Sequence, residues 1–290
     1  MKSADFELNQ ITRRAFGAIA LGAISTLPLL ARVPPRVLVV VAHPDDEYHF
    51  AVTIFRIVHE LGGTVDQLVI TNGEGGYRYS TIAEVVYGTH LTEESTGRDR
   101  LPEIRKQETF AAGRILGIRQ HFFLDQKDAG YTLSAAETLA AWDTASIRRS
   151  LEHVLTAHTY DFVFTLLPSE ETHGHHKAAA VLALEAATAI EREQRPCVLA
   201  AEAISSHGKS PDISRLGLSQ TEYNVWRTQT FGFHDALNFQ IVANWVIAEH
   251  KSQGLFQMDA GRHDVERFWE FKQNNTGDRA EQLFAQLAPR

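Results

Sequence analysis

The sequence predicts an α/β protein, a three-layer α/β/α sandwich built around a mainly parallel, Rossmann-like sheet. Short apolar runs typical of buried strands alternate with longer segments whose apolar residues recur with the period of a helix. Glycine follows two of these helical segments, as Gly62-Gly63 and as Gly117, where helices commonly end. Alternating strands and helices are typical of βαβ units, which form parallel sheets with helices on both faces.

Five strands and four helices follow from this pattern. The strands are expected, in chain order, over residues 37–41, 65–71, 121–124, 162–167 and 198–203, because these runs are short and apolar. The helices are expected over residues 46–61, 103–116, 136–156 and 175–192, where the apolar positions have helical spacing. Each helix then lies between two strands, as a βαβ connection requires.

Two segments fall outside the alternation. Residues 73–100 are rich in Gly, Thr, Tyr and charged residues. We expect them to form a loop that covers a functional site, and the alternative is a solvated insertion. The polar residues 274–290 are expected to end in a loosely attached helix.

The composition indicates one globular domain that does not bind nucleic acid. A chain of 290 residues is long enough for a full core, and one large domain is expected rather than two small ones. Its 28 Lys+Arg and 36 Asp+Glu give a formal charge of −8, whereas nucleic-acid binding depends on basic patches. The single cysteine, Cys197, lies in an apolar run and is expected to be buried, which excludes a zinc site built on cysteines.

Residues 1–35 are expected to be a twin-arginine signal peptide, which leaves residues 36–290 as the domain. Thr12-Arg13-Arg14-Ala15-Phe16 contains the paired arginines, and residues 15–31 form a weakly apolar stretch behind them. The alternative is an uncleaved membrane anchor, because that stretch lies at the lower limit of the about 17–25 residues that span a bilayer. Export predicts a periplasmic or extracellular protein with no stable membrane span in the mature chain.

The first cluster of polar residues, Ala42-His43-Pro44-Asp45-Asp46-Glu47, directly follows the first predicted strand. In open α/β sheets, ligands bind outside the carboxyl ends of strands. Pro44 suits the first helical position, which puts the three acids in the first turn, where capping alone could explain them. Capping does not explain His43. His43 and Asp46 are three residues apart and can face one point, whereas Asp45 must project in another direction.

The second cluster, Glu171-Thr172-His173-Gly174-His175-His176, follows the fourth predicted strand in the same way. His173 and His176 are also three residues apart, at the start of the last predicted helix. One imidazole from each cluster and Asp46 would form a two-His, one-carboxylate set, which zinc uses when a fourth position stays open for water. Zinc is therefore the expected metal. Iron or another divalent ion is an alternative, because the order of affinities alone does not decide which metal a site holds.

With these residues the chain resembles the PIG-L/LmbE family of zinc-dependent N-acetylglucosaminyl deacetylases over roughly residues 36–255. The first cluster is the most distinctive part of the resemblance. The other similar segments are Thr71-Asn72-Gly73-Glu74-Gly75-Gly76, Arg105-x-x-Glu108, Asp128-Ala129-Gly130, His173-x-x-His176 and His250-Lys251-Ser252-Gln253.

The resemblance implies roles for seven residues, which are the metal ligands His43, Asp46 and His176, the general base Asp45, the substrate-polarising or oxyanion-stabilising His173, and the sugar-contacting Arg105 and Asp128. For Arg105, a charge on the surface of a helix is an equal alternative. His49, on the first predicted helix, is expected to be structural. The chain departs from the family at two places. Between the paired histidines, where the family often has an acidic residue, this chain has Gly174-His175. Two residues before His173, where Asp is frequent, this chain has Glu171. These departures concern the surroundings of His173 rather than the ligand set.

The expected activity is removal of an acetyl group from an N-acetylglucosamine-type sugar in a glycan, glycolipid or other small molecule. A divalent metal can lower the pKa of a bound water from 15.7 to about 7, and Asp45 would take the proton of that water as it attacks the amide. The metal and His173 would stabilise the oxyanion, and either Asp45 or His173 would protonate the amine. One alternative is an amidase with the same machinery that acts on a larger acyl or conjugate amide. Another is a carbohydrate-binding module without turnover.

Overall fold

The structure is a computed structural model that describes residues 33–274 and 276–288. Its strands are β1 (Arg36–Val41), β2 (Thr64–Thr71), β3 (Gln120–Gln126), β4 (Phe162–Leu166), β5 (Cys197–Ile204), β6 (Tyr223–Trp226), β7 (Thr230–Phe231), β8 (Leu237–Asn238) and β9 (Val265–Glu270). Its α-helices are α1 (Ala51–His59), α2 (Thr81–Tyr87), α3 (Glu94–Leu116), α4 (Ala135–Ala141), α5 (Thr144–Ala157), α6 (Gly174–Thr188), α7 (Gln240–Glu249), α8 (Gly254–Ala260) and α9 (Arg279–Leu287). Short 3-10 helices cover Asp46–Phe50, Glu74–Tyr79, Phe233–Asp235, Lys251–Gln253 and Lys272–Asn274.

A seven-stranded sheet with the order β3-β2-β1-β4-β5-β9-β6 forms the centre of the molecule. β1 pairs in parallel with β2 and β4, and these pair in parallel with β3 and β5. β9 is antiparallel to both β5 and β6. The predicted α/β class with a mainly parallel sheet is therefore confirmed. The strand order reverses between β1 and β4, which is the kind of position where α/β proteins bind ligands.

Side chains of β1 alternate between two cores, one on each face of the sheet. Val37, Val39 and Val41 are buried in one core with residues of α1, α3, α7 and α9. Leu38 and Val40 are buried in the other core with residues of α5 and α6. Because both faces of β1 are covered, its sequence is a continuous apolar run, as expected for a central parallel strand.

The five predicted strands are present, but two antiparallel strands of the central sheet, β6 and β9, were not predicted. β9 contains Glu266, which is completely buried and interrupts the apolar pattern. The Glu266 carboxylate accepts hydrogen bonds from the backbone N–H groups of Val52 and Thr53, both at 2.9 Å, at the start of α1. It also accepts a 3.0 Å bond from Arg227 Nε. A charged side chain can be buried when hydrogen bonds and an opposite charge compensate for the lost water, as they do for Glu266. The strand is therefore not apolar throughout, and the hydropathy of the sequence could not reveal it.

The predicted first helix is an α-helix only from Ala51, because the five residues Asp46–Phe50 form a 3-10 helix. Asp45 does not lie in the first helical turn as predicted. It precedes the 3-10 helix with a φ of 128°, a conformation that residues other than glycine rarely adopt. The chain therefore turns sharply between the two adjacent acids Asp45 and Asp46.

The predicted helix over residues 136–156 consists of two helices, α4 and α5. The break falls before Thr144, where the Asp143 side chain accepts a 2.9 Å hydrogen bond from the backbone N–H of Ser146. Asp143 thus caps the start of α5. The apolar spacing continues across the break, so the period alone does not separate the two helices. The last predicted helix, α6, is shorter than predicted and covers Gly174–Thr188.

The prediction of a loop over residues 73–100 is wrong in its local structure, because the segment contains a 3-10 helix, α2 and the start of α3. α3 begins at Glu94 rather than at residue 103. The Glu94 carboxylate accepts a 2.9 Å hydrogen bond from Arg98 Nε one turn later. Gly97, which suggested a loop, lies against Tyr77 and the carbonyl of Leu91, so close that a Cβ atom would collide with both. The close packing of α3 at this position therefore explains why residue 97 is a glycine.

The C-terminal helix α9 is firmly packed, which contradicts the expected loose attachment. Ala280, Leu283, Phe284 and Leu287 are buried on its inner face. They belong to the same core as α1 and the odd-numbered residues of β1. The Phe284 ring also stacks on Tyr223 of β6 with a centroid distance of 4.6 Å.

Residues 1–32 of the predicted signal peptide lie outside the described part of the chain. Residues Pro34–Arg290 group as one compact unit. Over the part of the chain that the structure describes, no helix is both long and apolar enough to span a membrane.

Candidate metal centre and active site

A cavity of about 320 Å³ opens at the carboxyl ends of β1 and β4, beside the point where the strand order reverses. It contains all seven residues to which the sequence assigned a role, which are His43, Asp45, Asp46, Arg105, Asp128, His173 and His176. The remaining lining residues are Tyr48, His49, Gly75, Gly76, Tyr79, Gly130, Tyr131 and Gln253. Several of these belong to the 3-10 helix Glu74–Tyr79, so the first part of the segment predicted to cover the site does line it.

Asp46 fixes the turn that follows β1. Its Oδ2 atom accepts hydrogen bonds from the backbone N–H groups of Ala42 at 3.1 Å and His43 at 2.8 Å. These bonds bring the side chains of His43 and Asp46 to the same side of the turn, as their spacing predicts. Burial raises the pKa of Asp46, but the neighbouring His176 and His43 outweigh burial and hold that pKa well below its usual range. The carboxylate therefore stays ionised, as a metal ligand must.

His43, Asp46 and His176 offer donor atoms that all lie within 4.8 Å of one another. Asp46 Oδ2 lies 3.7 Å from His43 Nδ1 and 3.3 Å from His176 Nδ1. The His176 Nδ1 atom is buried and has no hydrogen-bond partner among the described residues. Two imidazole nitrogens and one carboxylate oxygen, facing one point at the wall of an open cavity, suit a divalent metal such as zinc with a position left for solvent. The residues therefore fit the expected metal.

Asp45 lies beside this group and points elsewhere, as predicted. Its Oδ2 atom lies 3.0 Å from Arg105 Nη2, and its side chain is 19% exposed, so it still reaches the cavity. Burial raises the pKa of Asp45 to about 6, although the charge of Arg105 opposes that rise. A carboxylate with a pKa near 6 is a stronger base than an ordinary aspartate.

His173 lies in the connection between β4 and α6, and its side chain caps the start of α6. Its Nδ1 atom accepts a 3.2 Å hydrogen bond from the backbone N–H of His175. The backbone N–H of Thr132 donates to His173 Nε2 at 3.4 Å, a longer bond. A neutral imidazole has only one acceptor nitrogen, so only one of these two bonds forms in a given tautomer. Burial and the nearby His43 and His176 lower the pKa of His173 to about 4, so the ring is neutral at pH 7.

Arg105 is only 3% exposed, so the alternative of a charge on a helix surface is wrong. From α3 it reaches the turn after β1 and the loop after β2. Its Nη1 donates to the carbonyl oxygen of Gly73 at 2.5 Å, and its Nη2 donates to the carbonyl oxygen of Pro44. Arg105 lines the cavity, but its contacts within the protein are those that hold Asp45 and these two backbone segments together.

Asp128 lies at the side of the cavity next to His43. Its Oδ1 accepts a 2.9 Å hydrogen bond from the backbone N–H of Gly130, and its Oδ2 lies 3.9 Å from His43 Nε2. A Cβ atom on Gly75 would lie 2.5 Å from Asp128 Oδ1, so the glycine is needed for this close approach. The Gly-rich segment after β2 thus shapes the cavity wall.

Several polar residues behind the cavity were not assigned roles from the sequence. Glu47, completely buried, forms an ion pair with His250 Nε2 and accepts a 3.2 Å hydrogen bond from Gln67 Nε2. Glu108 accepts hydrogen bonds from the backbone N–H and the hydroxyl of Ser252 at 2.8 and 2.6 Å. These contacts hold the segment that begins at His250 against the site, where Gln253 lines the cavity. The signal for Glu47, Glu108 and the segment His250–Gln253 was that each lies in a part of the chain that resembles the family.

Two further histidines lie close to the site. His49 lines the cavity, and its Nδ1 accepts a 3.0 Å hydrogen bond from the backbone N–H of Ala203, in keeping with the expected structural role. His175 is completely buried behind His43 and was given no role. Donor atoms of His43, His173 and His175 form a second group within 4.8 Å of one another.

The chain is similar to known deacetylases in sequence. The PIG-L family pattern, described as GlcNAc-PI de-N-acetylase, matches residues 38–187, just over half of the chain. The probable N-acetyl-alpha-D-glucosaminyl L-malate deacetylase 2 of Bacillus cereus is 26% identical over 182 residues, which cover 61% of this chain and 74% of that protein.

Two solved structures share the fold. One is the deacetylase of the A40926 pseudoaglycone, with a TM-score of 0.54 and 19% identity, covering 82% of this chain and 97% of that one. The other is GalB, the 4-carboxy-2-hydroxymuconate hydratase of Pseudomonas putida KT2440, with a TM-score of 0.50 and 18% identity over 81% and 95% of the two chains. A deacetylase and a hydratase therefore share this architecture, so the fold alone does not determine the reaction. The family match covers both clusters of the site and identifies the chain as a member of the PIG-L family of de-N-acetylases.

Proposed function

We propose that this protein is a metal-dependent hydrolase that removes the N-acetyl group from an N-acetylglucosamine-type sugar. The observation that carries the proposal is the convergence of His43, Asp46 and His176 on one point of a cavity whose walls also contain Asp45 and His173. Membership of the PIG-L family supports the reaction class. The relative named as a deacetylase of an N-acetylglucosaminyl malate supports an amino sugar as substrate.

His43, Asp46 and His176 would hold the metal, and zinc is the metal that we expect. A bound zinc ion supplies Lewis acidity and makes water nucleophilic near neutral pH. Asp46 also holds the backbone of the turn through its bonds to Ala42 and His43. A carboxylate fixed by such bonds favours metal binding because little conformational entropy is lost.

Asp45 would act as the general base. Its carboxylate faces the cavity beside the ligands, and Arg105 fixes its orientation through the 3.0 Å ion pair. The side chain would accept one proton from the attacking water, and the same proton is then available to the departing amine. Correctly positioned bases of this kind contribute about 10²–10⁴-fold to rates.

His173 would stabilise the oxyanion that forms on the amide carbonyl. When Nδ1 accepts from the backbone N–H of His175, Nε2 carries the proton, and that proton would be donated to the substrate oxygen in place of the 3.4 Å bond from the Thr132 N–H. A neutral donor held by a helix cap needs no rearrangement during the reaction. Loss of one such donor typically lowers kcat by about 10²–10³-fold.

Acetate release from a panel of N-acetylglucosaminides tests this proposal. We expect the zinc-loaded protein to release acetate from at least one member, to lose activity with a chelator and to regain it when zinc is added back. Asp45→Asn provides a matched control that keeps the shape of the side chain but not its basicity. The absence of acetate release from every member by zinc-loaded protein would contradict the proposal. A second panel of glucosaminides with longer N-acyl groups tests the alternative, and cleavage restricted to that panel would identify an amidase instead.

We also propose that the protein is exported by the twin-arginine route. The adjacent Arg13 and Arg14 before the weakly apolar residues 15–31 support this proposal. A reporter fused behind residues 1–35 should be exported, and the double substitution Arg13→Lys and Arg14→Lys should retain it in the cytoplasm. Equal export of both fusions would contradict this route.

A further inference from the structure

His175 is a buried histidine that has no part in the proposed reaction. It is completely buried at the start of α6, and its Nδ1 atom lies 2.9 Å from His43 Nε2. This is a hydrogen-bond distance between two ring nitrogens, so one ring must donate and the other must accept.

The two ring nitrogens of His43 face different partners. Nδ1 lies on the side of Asp46, at 3.7 Å from Oδ2, and belongs to the candidate metal site. A histidine that binds a metal through Nδ1 carries its proton on Nε2 and donates it to a neighbouring acceptor. The acceptor within hydrogen-bond distance of His43 Nε2 is His175 Nδ1, whereas Asp128 Oδ2 at 3.9 Å is too far away.

The surroundings of His175 hold the residue in place and are compatible with an accepting Nδ1. Its own backbone N–H donates to His173 Nδ1, which anchors the residue at the first turn of α6. Its Nε2 atom is buried without a hydrogen-bond partner among the described residues, and the centroid of its ring lies 5.2 Å from that of the Trp142 ring. When Nδ1 accepts, Nε2 carries the proton, and an N–H group next to an aromatic ring is a tolerable neighbour.

From this geometry we propose that His175 is a positioning residue that accepts the Nε2 proton of His43 and so fixes the ring for metal binding. The inference rests on the proposed metal site. Metal-binding histidines frequently donate to a carboxylate, which adds negative charge and makes the histidine a stronger ligand. His175 is instead a neutral acceptor. The neighbouring carboxylate of Asp128 lies 3.7 Å from His175 Nδ1 and 3.9 Å from His43 Nε2, so it accepts a hydrogen bond from neither ring. Zinc should therefore bind more weakly here than it would with an acid at position 175.

Three substitutions at position 175 test the inference through zinc affinity, measured by competition with a chromophoric chelator. His175→Leu removes the acceptor, and we expect zinc to bind about 10–100-fold more weakly, the usual loss for such partners. His175→Asn restores a neutral acceptor, because Asn Oδ1 is separated from Cα by the same number of bonds as His Nδ1. This variant should bind zinc far better than His175→Leu. His175→Asp supplies a charged acceptor and should bind zinc more tightly than the wild type.

His121→Leu is the matched control, because His121 is a partly buried histidine on β3, outside the cavity lining. It should leave zinc affinity unchanged. Thermal unfolding of the metal-free variants shows whether each one folds. If His175→Leu does not fold, the inference is tested by comparing the zinc affinities of His175→Asn and His175→Asp.

The outcomes distinguish this inference from the proposed function. Wild-type affinity in both His175→Leu and His175→Asp would overturn the role of His175 while leaving the metal site intact. Two zinc ions per wild-type chain, falling to one in His175→Leu, would also overturn it, because His175 would then be a ligand of a second ion with His43 and His173. A wild-type protein that binds no zinc would overturn the proposed metal site and this inference with it.

Discussion

Arg105 Nη2 lies 3.0 Å from Asp45 Oδ2, and the same guanidinium donates to the carbonyl oxygens of Pro44 and Gly73. One side chain of α3 therefore joins the turn after β1 to the loop after β2. Asp45 has a φ of 128°, which is strained for a residue other than glycine. Arg105 provides the contacts that can hold this conformation next to the metal ligands.

Arg105→Ala should strongly destabilise the protein. The substitution leaves the partly buried Asp45 carboxylate and two backbone carbonyls without their donor, and removing one partner of a buried pair typically costs about 3 kcal/mol or more. Chemical denaturation of the metal-free protein measures the loss. Arg148→Ala is the control, because Arg148 pairs with Glu185 at the surface, at 2.9 Å and with both side chains about half exposed. It should cost less than about 1 kcal/mol, and equal losses in the two variants would contradict the buried role of Arg105.

Asp45→Asn should retain zinc and lose deacetylation. The ligands His43, Asp46 and His176 are unchanged, but the amide cannot accept the proton of the attacking water. We expect kcat to fall by about 10²–10⁴-fold with one zinc ion still bound per chain. Elemental analysis and acetate release measure the two quantities. Asp99→Asn, an exposed change on α3, should alter neither, and wild-type kcat in Asp45→Asn would remove Asp45 from the mechanism.

His176→Ala should lose the metal. It removes one of three donors, and the remaining pair His43 and Asp46 offers only two protein ligands, fewer than the three that catalytic zinc sites use. Zinc content after dialysis against a weak chelator is the measurement. His153→Ala, on the exposed face of α5, should keep the wild-type zinc content. Undiminished zinc in His176→Ala would exclude this residue from the ligand set.

Glu202→Gln should stabilise the protein at alkaline pH. Glu202 Oε1 is buried without a hydrogen-bond partner among the described residues, and burial raises the pKa of the side chain from 4.5 to about 7, although Arg267 lowers it. Because the pKa is higher in the folded state, its contribution to stability is fully present below about 4.5 and is lost as the pH rises through 7.

At pH 8 the free energy of unfolding of Glu202→Gln should therefore exceed that of the wild type by about 3 kcal/mol, since one pKa unit corresponds to about 1.4 kcal/mol and the pKa of Glu202 rises from 4.5 to about 7. Near pH 4 the difference should vanish. Urea denaturation at both pH values measures it, and the exposed Glu191→Gln should show no such pH dependence. Identical stabilities of wild type and Glu202→Gln at pH 8 would show that the carboxylate is not buried as the structure has it.

The sequence predicted the parts of the site that depend on local geometry. His43 and Asp46 are three residues apart at the end of an apolar strand, and strand ends in a parallel sheet meet at one edge, so their convergence with the His173 segment follows from the pattern. The direction of Asp45 also follows from its place one residue earlier. Its unusual backbone angle does not, because proline followed by acids equally suits an ordinary helical turn.

Contacts between distant segments could not be predicted in the same way. Glu47 and His250 are 203 residues apart, and no periodic pattern connects them. β9 is hidden for a related reason, since its buried Glu266 is satisfied by Arg227 and by the start of α1 rather than by an apolar environment. The departure at Gly174-His175 was visible in the sequence, but only the 2.9 Å contact with His43 gives it a physical meaning.

Anomalous diffraction at the zinc edge, from crystals of the zinc-loaded protein, would locate the metal relative to its ligands. We predict one strong peak at about 2.0–2.2 Å from a ring nitrogen of His43, a carboxylate oxygen of Asp46 and a ring nitrogen of His176. Asp45 should lie next to that peak without binding it. No peak within reach of these three residues, or a peak held only by His43, His173 and His175, would contradict the account.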